Sequence, residues 1–151
     1  MLDDKDRALL RRMQADPSLT MPELAELAGV TPAQATRRLD RMQAEGVIRG
    51  QTAVIDWAAL GYPLQVSLRV TLDKTVPGAF DAFLAAAREV AEVLEIQTFL
   101  GRVDVRLALV AWDLAHYQDL YRTRILSLPH IADIEALMDV AAVKAEMGLP
   151  L

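Results

Sequence analysis

An α+β protein is predicted, because two hydrophobic periods follow one another: a spacing of three to four residues up to about residue 45, then strict alternation from Leu64. The first half also carries two copies of one helix-start device, Thr20-Met21-Pro22-Glu23 and Thr31-Pro32-Ala33-Gln34. In each, the threonine oxygen can accept a backbone N–H, proline suits the first helical turn, and Glu or Gln reaches back to the cap. Leu9, Leu10 and Met13 form one apolar stripe, Leu24, Leu27 and Ala28 a second, and Ala35, Leu39 and Met42 a third. Three short helices between Asp3 and about Glu45 follow. Gly29 stops the second in a left-handed conformation and turns the chain sharply into the third, which ends near Gly46. Val47-Ile48-Arg49 and Thr52-Ala53-Val54-Ile55, on either side of Gly50, read as a small hairpin. The plan over residues 1–55 is that of a winged helix-turn-helix.

Residues 56–63, with Gly61-Tyr62-Pro63, read as a linker in which Trp57 would fix the angle between domains. From Leu64 to Asp73 the chain alternates without a fault, Leu64, Val66, Leu68, Val70 and Leu72 pointing one way and Gln65, Ser67, Arg69, Thr71 and Asp73 the other. Pro77 opens a helix bearing Phe80, Phe83, Leu84 and Ala87. A strand from about Val93 to Leu100, the turn Gly101-Arg102-Val103-Asp104 and a strand from Val105 to Ala111 come next. Asp113 caps a helix bearing Leu114, Tyr117, Leu120, Tyr121 and Ile125, which Pro129 halts, and the last strand runs from Ile131 to about Val140. The order is βαββαβ, a ferredoxin-like unit over residues 64–151 with both helices on one face of the sheet. Its other face, expected to be apolar, calls for a second copy, so a homodimer at least is predicted.

Composition removes most other functions. Over 151 residues, 53% are hydrophobic, enough for a core. No apolar run approaches the roughly 20 residues of a membrane span. Nothing in Met1-Leu2-Asp3-Asp4-Lys5-Asp6 marks the chain for export, so a cytoplasmic home is expected. The absence of cysteine rules out thiol chemistry and zinc-thiolate sites, and His116 and His130 have no ligand company at metal spacing. No catalytic residue, metal or cofactor is expected.

The charge distribution points to DNA. Residues 1–60 hold 8 basic and 9 acidic side chains, net −1, and the remaining 8 and 12 give −4. Within residues 31–50 the balance reverses, with Arg37, Arg38, Arg41 and Arg49 against Asp40 and Glu45. On a helix, Gln34, Arg38 and Arg41 share a face, flanked by Thr36 and Arg37 and opposite the Ala35, Leu39, Met42 stripe. Gln34 and Thr36 near the amino end would meet base edges, Arg37, Arg38 and Arg41 phosphates or guanine, and Arg49 in the wing the backbone, with Thr31 also expected at the DNA. Two such helices in a dimer, about 34 Å apart, would read a pseudo-palindromic site. The plain alternative is a three-helix bundle with a solvated arginine face.

These residues resemble those of the Lrp/AsnC, or feast/famine, regulators. Leu2-Asp3-Asp4-Lys5-Asp6-Arg7-Ala8-Leu9-Leu10 is similar to their "LDxxDxxIL" opening. Leu24-Ala25 through Val30-Thr31-Pro32, Arg38-Leu39-Asp40-Arg41-Met42 and Glu45-Gly46-Val47-Ile48 are similar to "LA…VGLSP…RVRRLE…GVI". Gly101-Arg102-Val103-Asp104 and Leu128-Pro129-His130-Ile131 fall where that family has "G-D-x-D" and "LPGV". The resemblance implies a DNA-binding domain, an oligomerising and amino-acid-sensing domain of the Lrp/AsnC effector-binding type, and dimers that often assemble into octamers. It places the effector beside the turn between dimers. There Gly101 and Asp104 match, Arg102 replaces the first acid, and Ile134 and Ala136 stand where relatives often place hydroxyl-bearing residues. Arg102 would oppose an ammonium and favour a carboxylate. The expectation is therefore an effector other than a standard amino acid, or lost sensing. A bare Arg102–Asp104 ion pair is the plain alternative. Two other functions stay open: a siroheme-decarboxylase-like enzyme, which two isolated histidines fit poorly, and a metabolite sensor that does not bind DNA, which would leave Arg37, Arg38 and Arg41 without purpose.

Overall fold

The computed structural model describes residues 1–141 and 148–150. Within these, residues 1–54 and the tail residues 148–150 form one compact unit and residues 55–141 another. The first unit holds α1 (Asp4–Ala15), α2 (Met21–Ala28) and α3 (Pro32–Ala44). Its core is small: Leu9, Ala25, Ala35 and Met42 are fully buried, with Leu24, Ala28 and Leu39 nearly so. Of the residues in the three expected stripes only Leu27 is well exposed, and Ala25 takes its place. The expected capping geometry holds at Thr31, whose hydroxyl accepts the Gln34 N–H while the Gln34 side chain accepts the Thr31 N–H. The box at Thr20 is present too, and there the Glu23 carboxylate accepts both the Thr20 N–H at 2.8 Å and the Thr20 hydroxyl at 2.6 Å. Gly29 is left-handed at φ 67°, and the N–H groups of Gly29 and Val30 close back on Glu26 and Ala25. A Cβ there would also sit 2.9 Å from Lys5 Nζ. The tail, expected in the second domain, joins this unit through Gln14: the Leu149 N–H donates to Gln14 Oε1 at 2.7 Å.

The expected wing hairpin does not form: among the described residues, 47–56 contain no strand. Gly46 ends α3 in a left-handed conformation, and the N–H groups of Val47 and Ile48 both donate to the Met42 carbonyl, so the first arm spends its donors on the helix end. A ribbon with arms this short is marginal in any case. The segment remains an irregular loop, exposed except at Ile48, which packs on the core of the first unit.

The second unit holds β1 (Leu64–Leu72), α4 (Ala79–Arg88), β2 (Val93–Thr98), β3 (Val105–Ala111), α5 (Leu114–Leu120) and β4 (Ile131–Met138). Helix α5 continues through a π-helical turn, Tyr121–Ile125. The sheet order is β2-β3-β1-β4 with every neighbouring pair antiparallel, the topology expected of a βαββαβ unit. Helix α4 starts two residues after Pro77, because Gly78 adopts a left-handed conformation at its N-cap. Asp113 caps α5 as expected, accepting the His116 N–H at 2.7 Å. Val66, Leu68, Val70 and Leu72 pack with Leu107, Leu109, Phe83, Tyr117 and Ile125 under the helices.

The other sheet face is not the wide apolar surface expected. Ser67, Arg69, Thr71, Gln97 and Arg106 share it, and Arg106 donates to Ser67 at 2.7 Å and Gln97 at 2.9 Å. Apolar character is confined to one end, where Trp57, Leu94, Ala108 and Val110 line a cavity of about 360 Å³. The alternation of β1 carried this in plain view, since its second face is uniformly polar. Replacing fully buried Leu68 with alanine is expected to destabilise the protein by about 2–5 kcal/mol, measured by urea denaturation followed by circular dichroism.

Candidate nucleic-acid interface and effector turn

Helix α3 buries Ala35, Leu39 and Met42 and turns its remaining faces outward. Thr31, Gln34, Thr36 and Arg37 are all exposed. Thr31 and Gln34 are partly engaged by the capping box, and Thr36 donates its hydroxyl to the Pro32 carbonyl at 3.1 Å. Arg37 and Arg49 are exposed and have no hydrogen bond or ion pair among the described residues.

Arg38 and Arg41 differ from expectation, because neither is a free cation. Arg38 Nη1 lies 2.7 Å from Asp6 Oδ1 and 2.7 Å from Asp3 Oδ2, and Arg41 Nη2 lies 2.5 Å from Asp6 Oδ2. Asp6 also accepts the Asp3 N–H at 3.0 Å and is wholly buried. The Arg38 side chain is 23% exposed and that of Arg41 44%, so Arg38 is largely committed to α1 while Arg41 keeps one edge in solvent. A third capping box, with Asp3 as N-cap and Asp6 at the third helical position, presents both acids side by side. Burial alone would raise the Asp6 pKa, but the Asp3 N–H and the two guanidinium groups outweigh it and bring it to about 2.

At the turn between β2 and β3, Asp104 is occupied. Its Oδ2 accepts the Leu72 N–H at 2.9 Å and its Oδ1 lies 3.2 Å from Lys74 Nζ. The Leu72 N–H, aided by Lys74, holds this carboxyl below its usual range despite burial. Asp104 therefore pairs with Lys74, not with Arg102. The Arg102 carbonyl accepts the Thr71 hydroxyl, while its guanidinium has no partner among the described residues. It borders a cavity of about 340 Å³ with Arg69, Thr71, Val103, Asp133 and Glu135.

The five expected effector residues are not brought together around that cavity. Pairing sets Ile134 opposite Val70 and Ala136 opposite Leu68, on the helix-covered side, and Ile134 packs on the core. Asp133 and Glu135 pair with Thr71 and Arg69 and take the open side. The alternation of a strand separates neighbours onto opposite faces, so a site built from the turn and β4 within one chain draws on odd-numbered residues. Arg69 and Thr71 could have been found from the polar face of β1; Asp133 and Glu135 needed the register.

Residues 2–49 match the winged helix-turn-helix DNA-binding family, and residues 65–149 match the Lrp/AsnC ligand binding domain. The chain belongs to the Lrp/AsnC family. It is a transcriptional regulator of the Lrp/AsnC type, with a DNA-binding and a ligand-binding domain. Among curated relatives, the leucine-responsive regulatory protein of Salmonella typhimurium is 29% identical over 95% of this chain and 87% of its own length. The DNA-binding transcriptional activator DecR of Escherichia coli is 26% identical over 100% and 99%. A Neisseria meningitidis regulator solved as a complex with L-Met superposes with a TM-score of 0.91, at 26% identity over 99% of this chain and 97% of that one. An Agrobacterium tumefaciens AsnC family regulator gives 0.87 at 28% identity, with the same coverage. In this Lrp/AsnC chain no helix among the described residues is long and apolar enough to cross a membrane.

The Asp6 pKa carries a stability prediction. Because the folded value, about 2, lies below the ordinary 3.8, Asp6 stabilises the fold above about pH 4, and the contribution fades as pH falls towards 2. The expected loss is about 2 kcal/mol over that interval. Urea midpoints at a series of pH values should show this component in the native protein and its absence in Asp6→Asn.

Proposed function

We propose that this regulator reads a pseudo-palindromic DNA site as a homodimer, with α3 in the major groove, and has no chemistry of its own. The observation that carries the reading is the division of α3: one stripe is buried, while Thr31, Gln34, Thr36 and Arg37 are exposed beside half-exposed Arg41. Thr31, Gln34 and Thr36 meet base edges near the amino end of the helix. Arg37, Arg41 and, from the extended segment after α3, Arg49 meet phosphates. The second copy covers the apolar end of the open sheet face, where Trp57 is 41% and Leu94 50% exposed. Pairing of two copies sets the spacing of two half-sites, and dimers can assemble further. A soluble, cytoplasmic regulator fits this use.

The effector we propose is a small carboxylate held by Arg102, beside Gly101. In the cavity next to it Arg69 answers the charge of Glu135 at 3.6 Å, and the Arg102 guanidinium has no ion-pair partner among the described residues; Asp133, on the same cavity, accepts the Ile134 N–H and likewise has no cation paired with it. Asp104, already bound to Lys74 and the Leu72 N–H, serves as a brace for the turn instead of an ammonium acceptor. A relative binds L-Met, so a carboxylate is a feature its ligand shares. Ile134 and Ala136, on the other side of β4, act on this site only from a neighbouring copy.

Replacement of Arg37 or Arg49 by alanine is expected to weaken DNA binding and flatten the plot of log K against log salt by about 0.9 for each phosphate no longer neutralised. Fluorescence anisotropy on a selected duplex measures it, and an unchanged slope for both variants would remove α3 and its following loop from the interface. Calorimetric titration with common amino acids and simple mono- and dicarboxylates tests the effector. Carboxylates lacking an ammonium should bind, and Arg102→Gln should weaken them about tenfold or more. Tight binding of standard amino acids alone, insensitive to Arg102, would reject this effector class.

A further inference from the structure

The recognition helix carries three arginines, yet two of them are answered inside the protein. Asp6 and Asp3 set two negative charges against Arg38 and Arg41, and Glu45 lies a further 3.9 Å from Arg41 Nε. The patch that looks basic in sequence is thus nearly neutral as folded. Asp6 is also poorly placed to release its partners. It is fully buried, and drawing Arg38 away to a phosphate would leave a desolvated carboxylate short of a partner. A single solvent-exposed phosphate contact returns less than that loss.

We propose that Asp6, assisted by Asp3, is a specificity-determining residue for DNA binding: it withholds Arg38, and half of Arg41, from indiscriminate phosphate contact. Non-specific affinity grows with the number of phosphates neutralised by Lys and Arg, whereas discrimination comes from base edges. Holding two guanidinium groups on carboxylates lowers the first without touching Thr31, Gln34 or Thr36, which provide the second. The same ion pairs join the first turn of α1 to the middle of α3, so Arg38 acts as a positioning residue that sets how the helix is offered to the groove. The inference rests on α3 being the reading helix.

The experiment uses the full chain, a duplex selected from a random-sequence pool and a shuffled duplex of the same composition, with affinities measured over a range of salt. Asp3→Asn is the mild variant, because Asn caps a helix as well as Asp and keeps the acceptor for the Asp6 N–H while removing one charge from Arg38. Asp6→Asn is the strong variant. Both should bind the shuffled duplex more tightly than the native protein, with a salt slope steeper by up to about 0.9 for each arginine released. The ratio of specific to non-specific affinity should fall, by roughly tenfold in Asp6→Asn, the worth of about one mismatched base pair. Arg38→Ala should lower affinity for the selected duplex while leaving the salt slope at its native value, which a phosphate contact would not do. Shuffled-duplex affinity and slope that stay at or fall below native values in folded Asp3→Asn overturn the proposal, even if Asp6→Asn fails to fold. Native protein that binds neither duplex would overturn the assignment of α3, and this inference with it.

Discussion

The arrangement of the DNA-reading unit depends on one buried carboxylate. Asp6 is the only charged side chain that the described residues bury completely, and every partner it has is supplied by the two ends of the interface it joins. The Asp3 N–H comes from its own helix start, and the two guanidinium groups come from α3. A three-helix unit with about seven buried apolar side chains has little else to fix the angle of its third helix. Hydrophobic contact is tolerant of small rotations, whereas a carboxylate shared by two guanidinium groups is not. The cost of burying the charge is met only in one geometry, so specificity of orientation, more than net stability, is what such a cluster supplies.

Local chemistry was legible in the sequence and long-range chemistry was not. Thr31 with Gln34, Asp113 with His116 and the stop at Gly29 lie within three or four residues of their partners, and each forms as its residue types dictate. The capping box at Asp3 has the same spacing, but two aspartates lack the Thr and Pro that mark the other two helix starts. Pairing of Asp6 with Arg38 and Arg41 spans more than thirty residues, and helix periodicity alone leaves a face of arginines looking free. The strand faces show the same limit. Alternation in β1 identified its buried side without error, but β4 reads as Ile131, Ile134, Leu137 with no clean period, since a bulge opposite Thr71 and Leu72 shifts its register. The family resemblance groups Ile134 and Ala136 with the turn, whereas the register puts them across the sheet from the turn's cavity.

The missing wing follows from competition for the same donors. A hairpin starting at Val47 needs its first N–H groups in a ladder, but Gly46 lets the end of α3 capture them on Met42. A helix end closes over a few residues with no loop entropy to overcome, while the hairpin must order two arms around Gly50 for few bonds. Arg49 consequently sits on an exposed loop, where its guanidinium is free to follow a phosphate backbone of somewhat variable path.

Charge in the second unit obeys the rule seen at Asp6, and this bears on how a ligand could be sensed. Asp104, Glu135 and Glu95 each lie beside a cation: Lys74, Arg69 and Arg106 respectively. The two exposed pairs, at Glu135 and Glu95, contribute little stability, so their value lies in what they leave over. After pairing, two groups that line the cavity at the turn have no ion-pair partner among the described residues, the guanidinium of Arg102 and the carboxylate of Asp133. An anion entering there gains an ion pair with Arg102 that the protein does not have to break elsewhere, whereas an ammonium at Asp104 or Glu135 would have to displace Lys74 or Arg69, and Asp133 is the one carboxylate at the cavity open to it among the described residues. The balance of matched and unmatched charge, and not the count of acids and bases at the turn, therefore makes Arg102 the group on which the proposed carboxylate would rest.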